Sequence, residues 1–177
     1  MDELEQVPLN EIHIVHAAGQ YEKTPLLTES GDPSLFKQHF DVHVFLIYEL
    51  ISSLVPLIRS AQQTALITIS TNLTERANRD SYGYIASKAA LESLTKQFAF
   101  NLGQYNFQSN CLCPGYFLSN MNGFNEEIEE RVMDNSPTGK RLTPEQLARA
   151  IVALFHADFH GLTGAKIQFD GGNTLGF

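Results

Sequence analysis

Short apolar runs alternate along the chain with longer segments in which apolar residues recur every three or four positions. Each short run is followed by Gly or Ser, and its composition is typical of a buried parallel strand. The predicted strands are residues 12–18, 65–69, 109–114 and 165–170.

The longer segments have the spacing of amphipathic helices. We expect Pro56 to disturb the first helix and Gly103 to end the second. Thr143 and Pro144 have the residue types of an N-cap and a first helical position, so they mark the start of the last helix. The predicted helices are residues 35–59, 84–102, 126–133 and 143–156.

This alternation of strands and helices is the signature of βαβ units, in which helices cover both faces of a parallel sheet. No internal repeat or long linker divides the sequence. We therefore expect one α/β domain over residues 1–177.

Composition excludes several classes of protein. Of the 177 residues, 43% are hydrophobic and 18% are charged, which excludes a disordered or collagen-like chain. Twelve Lys and Arg against 20 Asp and Glu give a net charge of −8. Such a charge repels nucleic acid on average, so we expect no nucleic-acid partner.

The sequence predicts neither a membrane helix nor a signal peptide. The longest apolar stretch, residues 42–58, is interrupted by His43, Glu49 and Pro56. It falls short of the roughly 20 apolar residues that span a bilayer. The first 12 residues carry acids where a signal peptide carries Lys or Arg. We expect a cytoplasmic protein.

The chain has two cysteines, Cys111 and Cys113. In a strand they point to the same face, where such neighbours are poorly placed for a disulfide. Two thiols without a nearby His are too few for structural zinc. We interpret both as buried core thiols and expect no metal site.

Tyr84 and Lys88 lie one helical turn apart, so a phenol and an ammonium share a helix face. A phenol with a pKa of about 10 is a poor acid–base catalyst at neutral pH, and a nearby ammonium favours its phenolate. Such a pair can exchange a proton with a carbonyl or alcohol oxygen. The same spacing also occurs by chance on exposed helices.

Ser70 and Thr71 follow a predicted strand, at the carboxyl end of the sheet, where open parallel sheets build their sites. A hydroxyl there can hydrogen-bond a substrate oxygen. Alternatively, both residues only turn the chain out of the strand.

Five blocks of sequence, taken in order, resemble the short-chain dehydrogenase/reductase (SDR) family over nearly the whole chain. In that family a hydroxyl residue precedes a Tyr-x-x-x-Lys helix and a strand that ends in Pro-Gly. The blocks are LITIST (66–71), YIASKAALESLTKQFA (84–99), NCLCPGYFLSNM (110–121), LTPEQLARAIVALF (142–155) and TGAKIQFDGG (163–172). The resemblance implies a Rossmann-like, doubly wound fold and hydride transfer between NAD or NADP and a small carbonyl or alcohol substrate.

The resemblance also implies catalytic roles. Tyr84 is the expected acid or base, and Lys88 is expected to lower the pKa of Tyr84 and to hold the nicotinamide ribose. The family hydroxyl usually takes the second of two positions, so either Thr71 acts or Ser70 substitutes. At the position of a family Asn that supports a water relay, this chain has His43, which either relays protons or is a packed helix residue.

Further matched positions are expected at the cofactor. The family's Asn-Asn-Ala-Gly corresponds to residues 16–19, which read His-Ala-Ala-Gly and lose both amides. The backbone of Phe117 and the hydroxyl of Ser119 are expected near the nicotinamide carboxamide. The candidates are Ala18, Gly19, Tyr84, Lys88, Pro114, Gly115, Phe117 and Ser119.

The sequence lacks the family's Thr-Gly-x-x-x-Gly-x-Gly turn, whose backbone amides approach the pyrophosphate. It also lacks the residue that distinguishes NAD from NADP, so we expect weak dinucleotide binding of unassigned preference. The chain therefore resembles an N-terminally truncated family fold that keeps strands four to seven.

The truncation would leave the family's fourth strand, here residues 12–18, as an exposed apolar edge. The helices at 35–59 and 84–102 would form the family's usual dimer interface. We expect a homo-oligomer or a hetero-oligomer with another SDR chain. The alternative function is a catalytically inactive, SDR-like interaction subunit of a longer family member.

Overall fold

The computed structural model describes residues 10–26, 33–156, 159 and 161–175. Every predicted strand and helix is present, with ends within two residues of the expected ones. In chain order the elements are β1 (Glu11–His16), α1 (Pro33–Phe40), α2 (Leu46–Ser60), β2 (Gln63–Ile69), α3 (Tyr82–Leu102), β3 (Phe107–Pro114), α4 (Glu126–Asp134), α5 (Pro144–Leu154) and β4 (Lys166–Phe169).

The strands form one parallel sheet in the order β1-β2-β3-β4. β2 and β3 are central and buried along almost their whole length, which explains their continuous apolar runs. Cys111 and Cys113 lie in β3 as buried free thiols, as predicted. The α/β fold expected from the sequence is confirmed.

A hydrophobic cluster on each face holds the helices to the sheet. On one face, α2 and α3 pack over side chains that include Ile14, Leu66 and Phe107. On the other face, Leu147 of α5 packs on Ile67 and Leu112. Burying one such side chain contributes about 1.5–3 kcal/mol, so these two layers hold the carboxyl ends of the strands in place.

β1 is an edge strand, and within the described residues it pairs with β2 alone. Ile14 and His16 are buried, whereas Val15 is 43% exposed. β1 is therefore buried on one face and largely exposed on the other. His13, on that second face, stacks on Phe155 with 4.5 Å between the ring centroids.

The long helix predicted over residues 35–59 is interrupted at its first third. A π-helical turn, Asp41–Phe45, separates α1 from α2, whereas Pro56 lies inside α2. The disturbance expected at Pro56 is therefore at the wrong place. Proline has no N–H to donate to the carbonyl four residues earlier, which here is that of Ser52. Because Pro56 and Ser52 are both exposed, water can hydrogen-bond that carbonyl instead.

The helical run Pro33–Ser60 is long and apolar enough to cross a membrane, judged by length and composition alone. Core helices of soluble proteins pass the same test. In this fold its residues Ile47, Ile51 and Ile58 are almost fully buried in the domain core.

Candidate active site

Tyr84 and Lys88, in the first turns of α3, face the carboxyl end of β2. The Lys88 Nζ donates a hydrogen bond to the Ile69 carbonyl at 2.7 Å, and it lies 5.9 Å from the centroid of the Tyr84 ring. The Thr71 side chain lies beside the Tyr84 phenol, close enough to lower the pKa of that phenol. The fold thus brings three of the predicted site residues together.

Ser70 and Thr71 point to different places. The Ser70 hydroxyl is buried between the sheet and α3, where it donates to Glu92 Oε1 at 2.7 Å. The Thr71 hydroxyl contacts Tyr84 and also accepts the Leu73 N–H at 3.2 Å. The geometry therefore favours Thr71 as the hydroxyl beside the phenol, which the sequence left open.

The pKa of Tyr84 is raised to about 12. Burial is the main cause of the raised pKa and Tyr21 adds to it, whereas the neighbouring Thr71 side chain lowers the pKa. The expected lowering of this pKa is not seen, because the loss of hydration outweighs the favourable contacts. At neutral pH Tyr84 is a protonated phenol, and in the chain without a bound ligand it is a weaker acid than a free tyrosine.

Lys88 is only 4% exposed. Burial lowers its pKa to about 8, while Cys111, Cys113 and Glu92 oppose that effect. At neutral pH the side chain is an ammonium with three donor hydrogens, of which the Ile69 carbonyl accepts one. Donors therefore remain for a ligand.

The loop after β1 passes close to this lysine. A Cβ built on Gly19 would lie 3.6 Å from Lys88 Nζ and 3.5 Å from His43 Nε2. The absence of a side chain at Gly19 therefore keeps space beside the ammonium. Ala18 precedes it in the same loop.

His43 is fully buried in the π-helical turn. Its Nε2 accepts the Gln20 N–H at 3.2 Å, so the neutral ring carries its proton on Nδ1. Nδ1 lies 2.7 Å from Ser87 Oγ, which in turn donates to the Tyr84 carbonyl at 2.9 Å. Burial, with Lys88, His39 and His16, lowers the pKa of His43 to about 3.

Sequence reasoning missed a second histidine beside Tyr84, His39. His39 is fully buried, and its ring centroid lies 6.2 Å from that of Tyr84. Its Nε2 accepts the Glu22 N–H at 3.2 Å. The available signal was the spacing of His39 and His43, which the π-helical turn places near one another.

The segment after β3 leaves the sheet at the same end. The Gly115 N–H donates to the Phe169 carbonyl at 3.0 Å, and a Cβ on Gly115 would lie 2.9 Å from Asp170 Cβ. This close approach requires glycine. Phe117 packs against the α5-side cluster, and the Ser119 carbonyl accepts the Phe124 N–H at 3.3 Å.

The sequence of this chain is similar to that of known proteins. The family model described as enoyl-(acyl carrier protein) reductase matches residues 9–174. The short-chain dehydrogenase/reductase PhomF of Diaporthe leptostromiformis is 34% identical over an alignment of 157 positions, which covers 81% of this chain and 54% of PhomF.

Two solved structures share the architecture. One is a 4-hydroxyisoleucine dehydrogenase complexed with NADH, 25% identical with a TM-score of 0.79 over 99% of this chain and 73% of that one. The other is a gluconate 5-dehydrogenase from Burkholderia cenocepacia J2315 in complex with NADP and tartrate. It is 23% identical, with a TM-score of 0.87 over 99% of this chain and 69% of that one.

The parallel sheet, the ordered motifs and the matching family model define the class: the chain belongs to the short-chain dehydrogenase/reductase family. It spans about half the length of the curated relatives that it matches, for example 54% of PhomF.

Proposed function

We propose that this chain supplies the catalytic part of an NAD(P)-dependent oxidoreductase that reduces a carbonyl group to an alcohol. One observation supports it above the others: Tyr84 and Lys88 lie one helical turn apart at the carboxyl end of β2, with the Lys88 Nζ 5.9 Å from the centroid of the Tyr84 ring and Thr71 beside the phenol. This arrangement suits proton donation to a carbonyl oxygen.

In this proposal Tyr84 donates its proton to the substrate oxygen as negative charge develops there. The Thr71 hydroxyl orients that oxygen, and the positive charge of Lys88 stabilises the phenolate that forms. A bound NADH or NADPH would supply the hydride. General acid catalysis of this kind contributes about 10²- to 10⁴-fold to a rate.

The residues fit one end of a dinucleotide. The free donors of Lys88 and the space that Gly19 leaves beside it suit the hydroxyls of a nicotinamide ribose. The sequence holds no glycine-rich turn for the pyrophosphate. The proposed contacts are Ala18, Gly19, Tyr84, Lys88, Pro114, Gly115, Phe117 and Ser119.

For His43 we propose a positioning role. Both ring nitrogens are engaged by hydrogen bonds, and the bond through Ser87 reaches the backbone of Tyr84. A ring held in this way supports the phenol more readily than it shuttles a proton. The relay role remains a prediction.

We also propose a cytoplasmic oligomer, in which residues 1–177 act as one partial Rossmann-like domain and α2 and α3 meet a second copy or another SDR chain. Tyr48 of α2 and Phe100 of α3 are 55% and 86% exposed. A groove of about 220 Å³ runs between these helices. Aromatic side chains at such exposure favour an interface.

The test is a fluorescence titration of the purified chain with NADPH and NADH, with its mass measured by light scattering. We expect the chain to be an oligomer that binds a dinucleotide and reduces a carbonyl substrate. Tyr84→Phe should lower that activity at least about 100-fold, whereas Tyr82→Phe, the same change at an exposed position of α3, should not. A folded oligomer that binds neither dinucleotide would contradict the proposal and favour an interaction subunit.

A further inference from the structure

Glu92 is a buried carboxylate on α3, one helical turn beyond Lys88 and 8% exposed. Its Oε1 accepts hydrogen bonds from the Ser70 and Thr74 hydroxyls, both at 2.7 Å. Its Oε2 lies 2.7 Å from Lys166 Nζ. One side chain thus joins α3 to the end of β2, to the turn that follows it and to β4.

A buried carboxylate is costly unless hydrogen bonds and an opposite charge satisfy it. Glu92 has both. Its cationic partner, Lys166, also forms an ion pair with the half-exposed Glu75. Within the described part of the chain, Glu92 is hydrogen-bonded to neither Tyr84 nor Lys88. Its position beside the site therefore calls for an explanation.

The bond from Ser70 explains it. Ser70 stands between Ile69, whose carbonyl accepts the Lys88 ammonium, and Thr71, whose hydroxyl meets Tyr84. The Ser70 hydroxyl also lies 3.5 Å from the Lys88 carbonyl. Anchoring Ser70 to Glu92 fixes both flanking residues against α3.

We propose that Glu92 is a positioning residue of the Tyr84–Lys88 site: its carboxylate anchors the carboxyl end of β2 and places a negative charge one turn from the Lys88 ammonium. Its meaning for catalysis rests on the proposed function. The anchoring and the charge are properties of the chain itself.

The titratable groups that face Lys88 come from several elements. They are Tyr84 and Glu92 of α3, Cys111 and Cys113 of β3, His43 of the π-helical turn and His16 of β1. Glu92 is the carboxylate among these groups, and it also faces Lys166 of β4. Removing its charge should make the Lys88 ammonium easier to deprotonate.

The test compares Glu92→Gln with Glu75→Gln in the chain without nucleotide or substrate. Glutamine keeps an acceptor for Ser70 and Thr74 but removes the charge. The control removes the other carboxylate that contacts Lys166. We expect the Lys88 pKa, followed by NMR of isotope-labelled lysine and assigned with Lys88→Arg, to fall in Glu92→Gln and to stay unchanged in Glu75→Gln.

An unchanged Lys88 pKa, or an equal fall in both variants, would overturn the proposal. If Glu92→Gln does not fold, Ser70→Ala tests the anchoring role. This variant removes the hydrogen bond between Ser70 and Glu92 but keeps the ion pair between Glu92 and Lys166. Amide exchange at Leu73, whose N–H is bonded to Thr71 Oγ1, should then rise several-fold; an unchanged rate would overturn the anchoring role. If the Lys88 pKa falls in Glu92→Gln but the parent chain has no reductase activity, the result contradicts the proposed function and leaves the positioning role of Glu92 intact.

Discussion

The His16 Nε2 lies 3.3 Å from the carbonyl oxygen of His43, and this contact joins the end of β1 to the π-helical turn between α1 and α2. Both histidines stand where the SDR pattern has asparagine. The two departures from the pattern therefore meet in one contact, in which a buried imidazole takes the place of an amide. The Gln20 N–H, bonded to His43, fixes the next part of the same loop.

The buried histidines should make the fold sensitive to acid. The pKa of His43 is lowered from 6.5 to about 3, and that of His16 is also lowered. Between those pH values the unfolded chain binds the proton and the folded chain does not, so stability falls as the pH falls. Each such group contributes a slope of up to about 1.4 kcal/mol per pH unit.

Urea unfolding at pH 7, 6 and 5 measures this slope. His43→Asn removes one titrating group, so the free energy of unfolding should depend less steeply on pH. Equal slopes for the variant and the parent chain would show that His43 is not the group responsible.

Thr71 should be the hydroxyl that serves Tyr84. Thr71→Val keeps the shape but leaves the phenol without its partner, so carbonyl reduction should fall about 10- to 100-fold. Thr71→Ser should retain most of the activity. As a control, Thr68→Val removes a buried hydroxyl of β2 that is hydrogen-bonded to Thr95 of α3. An equal loss of activity in the control would refute the assignment.

Lys88 is expected to be required for activity and, as a buried ammonium, to lower the free energy of unfolding. The fall of its pKa from 10.5 to about 8 corresponds to about 3 kcal/mol that disfavours the buried ammonium. Lys88→Met removes that cost together with one hydrogen bond to Ile69. We expect activity to be lost and the free energy of unfolding at pH 7 to be unchanged or raised; a large destabilisation would count against this account.

Gly115 should tolerate no side chain. A Cβ there would lie 3.0 Å from the Asp170 Cα, a backbone atom that cannot move aside alone. Gly115→Ala should lower the free energy of unfolding by about 1–3 kcal/mol. Gly103→Ala is the matched control, because nothing lies within 4 Å of its Cβ. Similar denaturation midpoints for both variants would contradict the prediction.

The order of strands and helices was predictable, because each element is encoded by a local pattern of apolar spacing, caps and turn residues. Pro56 shows where local reading fails. Its chemistry predicts a break, yet it lies within α2, because its neighbours on that face are exposed. The actual irregularity is the π-helical turn Asp41–Phe45, whose His43 is hydrogen-bonded to Ser87 of α3, 44 positions further along the chain.

The sequence by itself determined the class of protein, the place of Tyr84 and Lys88 on one helix face, and the burial of the two cysteines. The last two follow from spacing within a few residues, whereas the class follows from the resemblance of five ordered sequence blocks to the SDR family. Only the tertiary structure decided between Ser70 and Thr71, joined His16 to His43, and placed Glu92 beneath the site. It also decided the direction of the Tyr84 pKa. The physical reason is that side-chain direction and hydration depend on elements packed from distant parts of the chain, which no local pattern records.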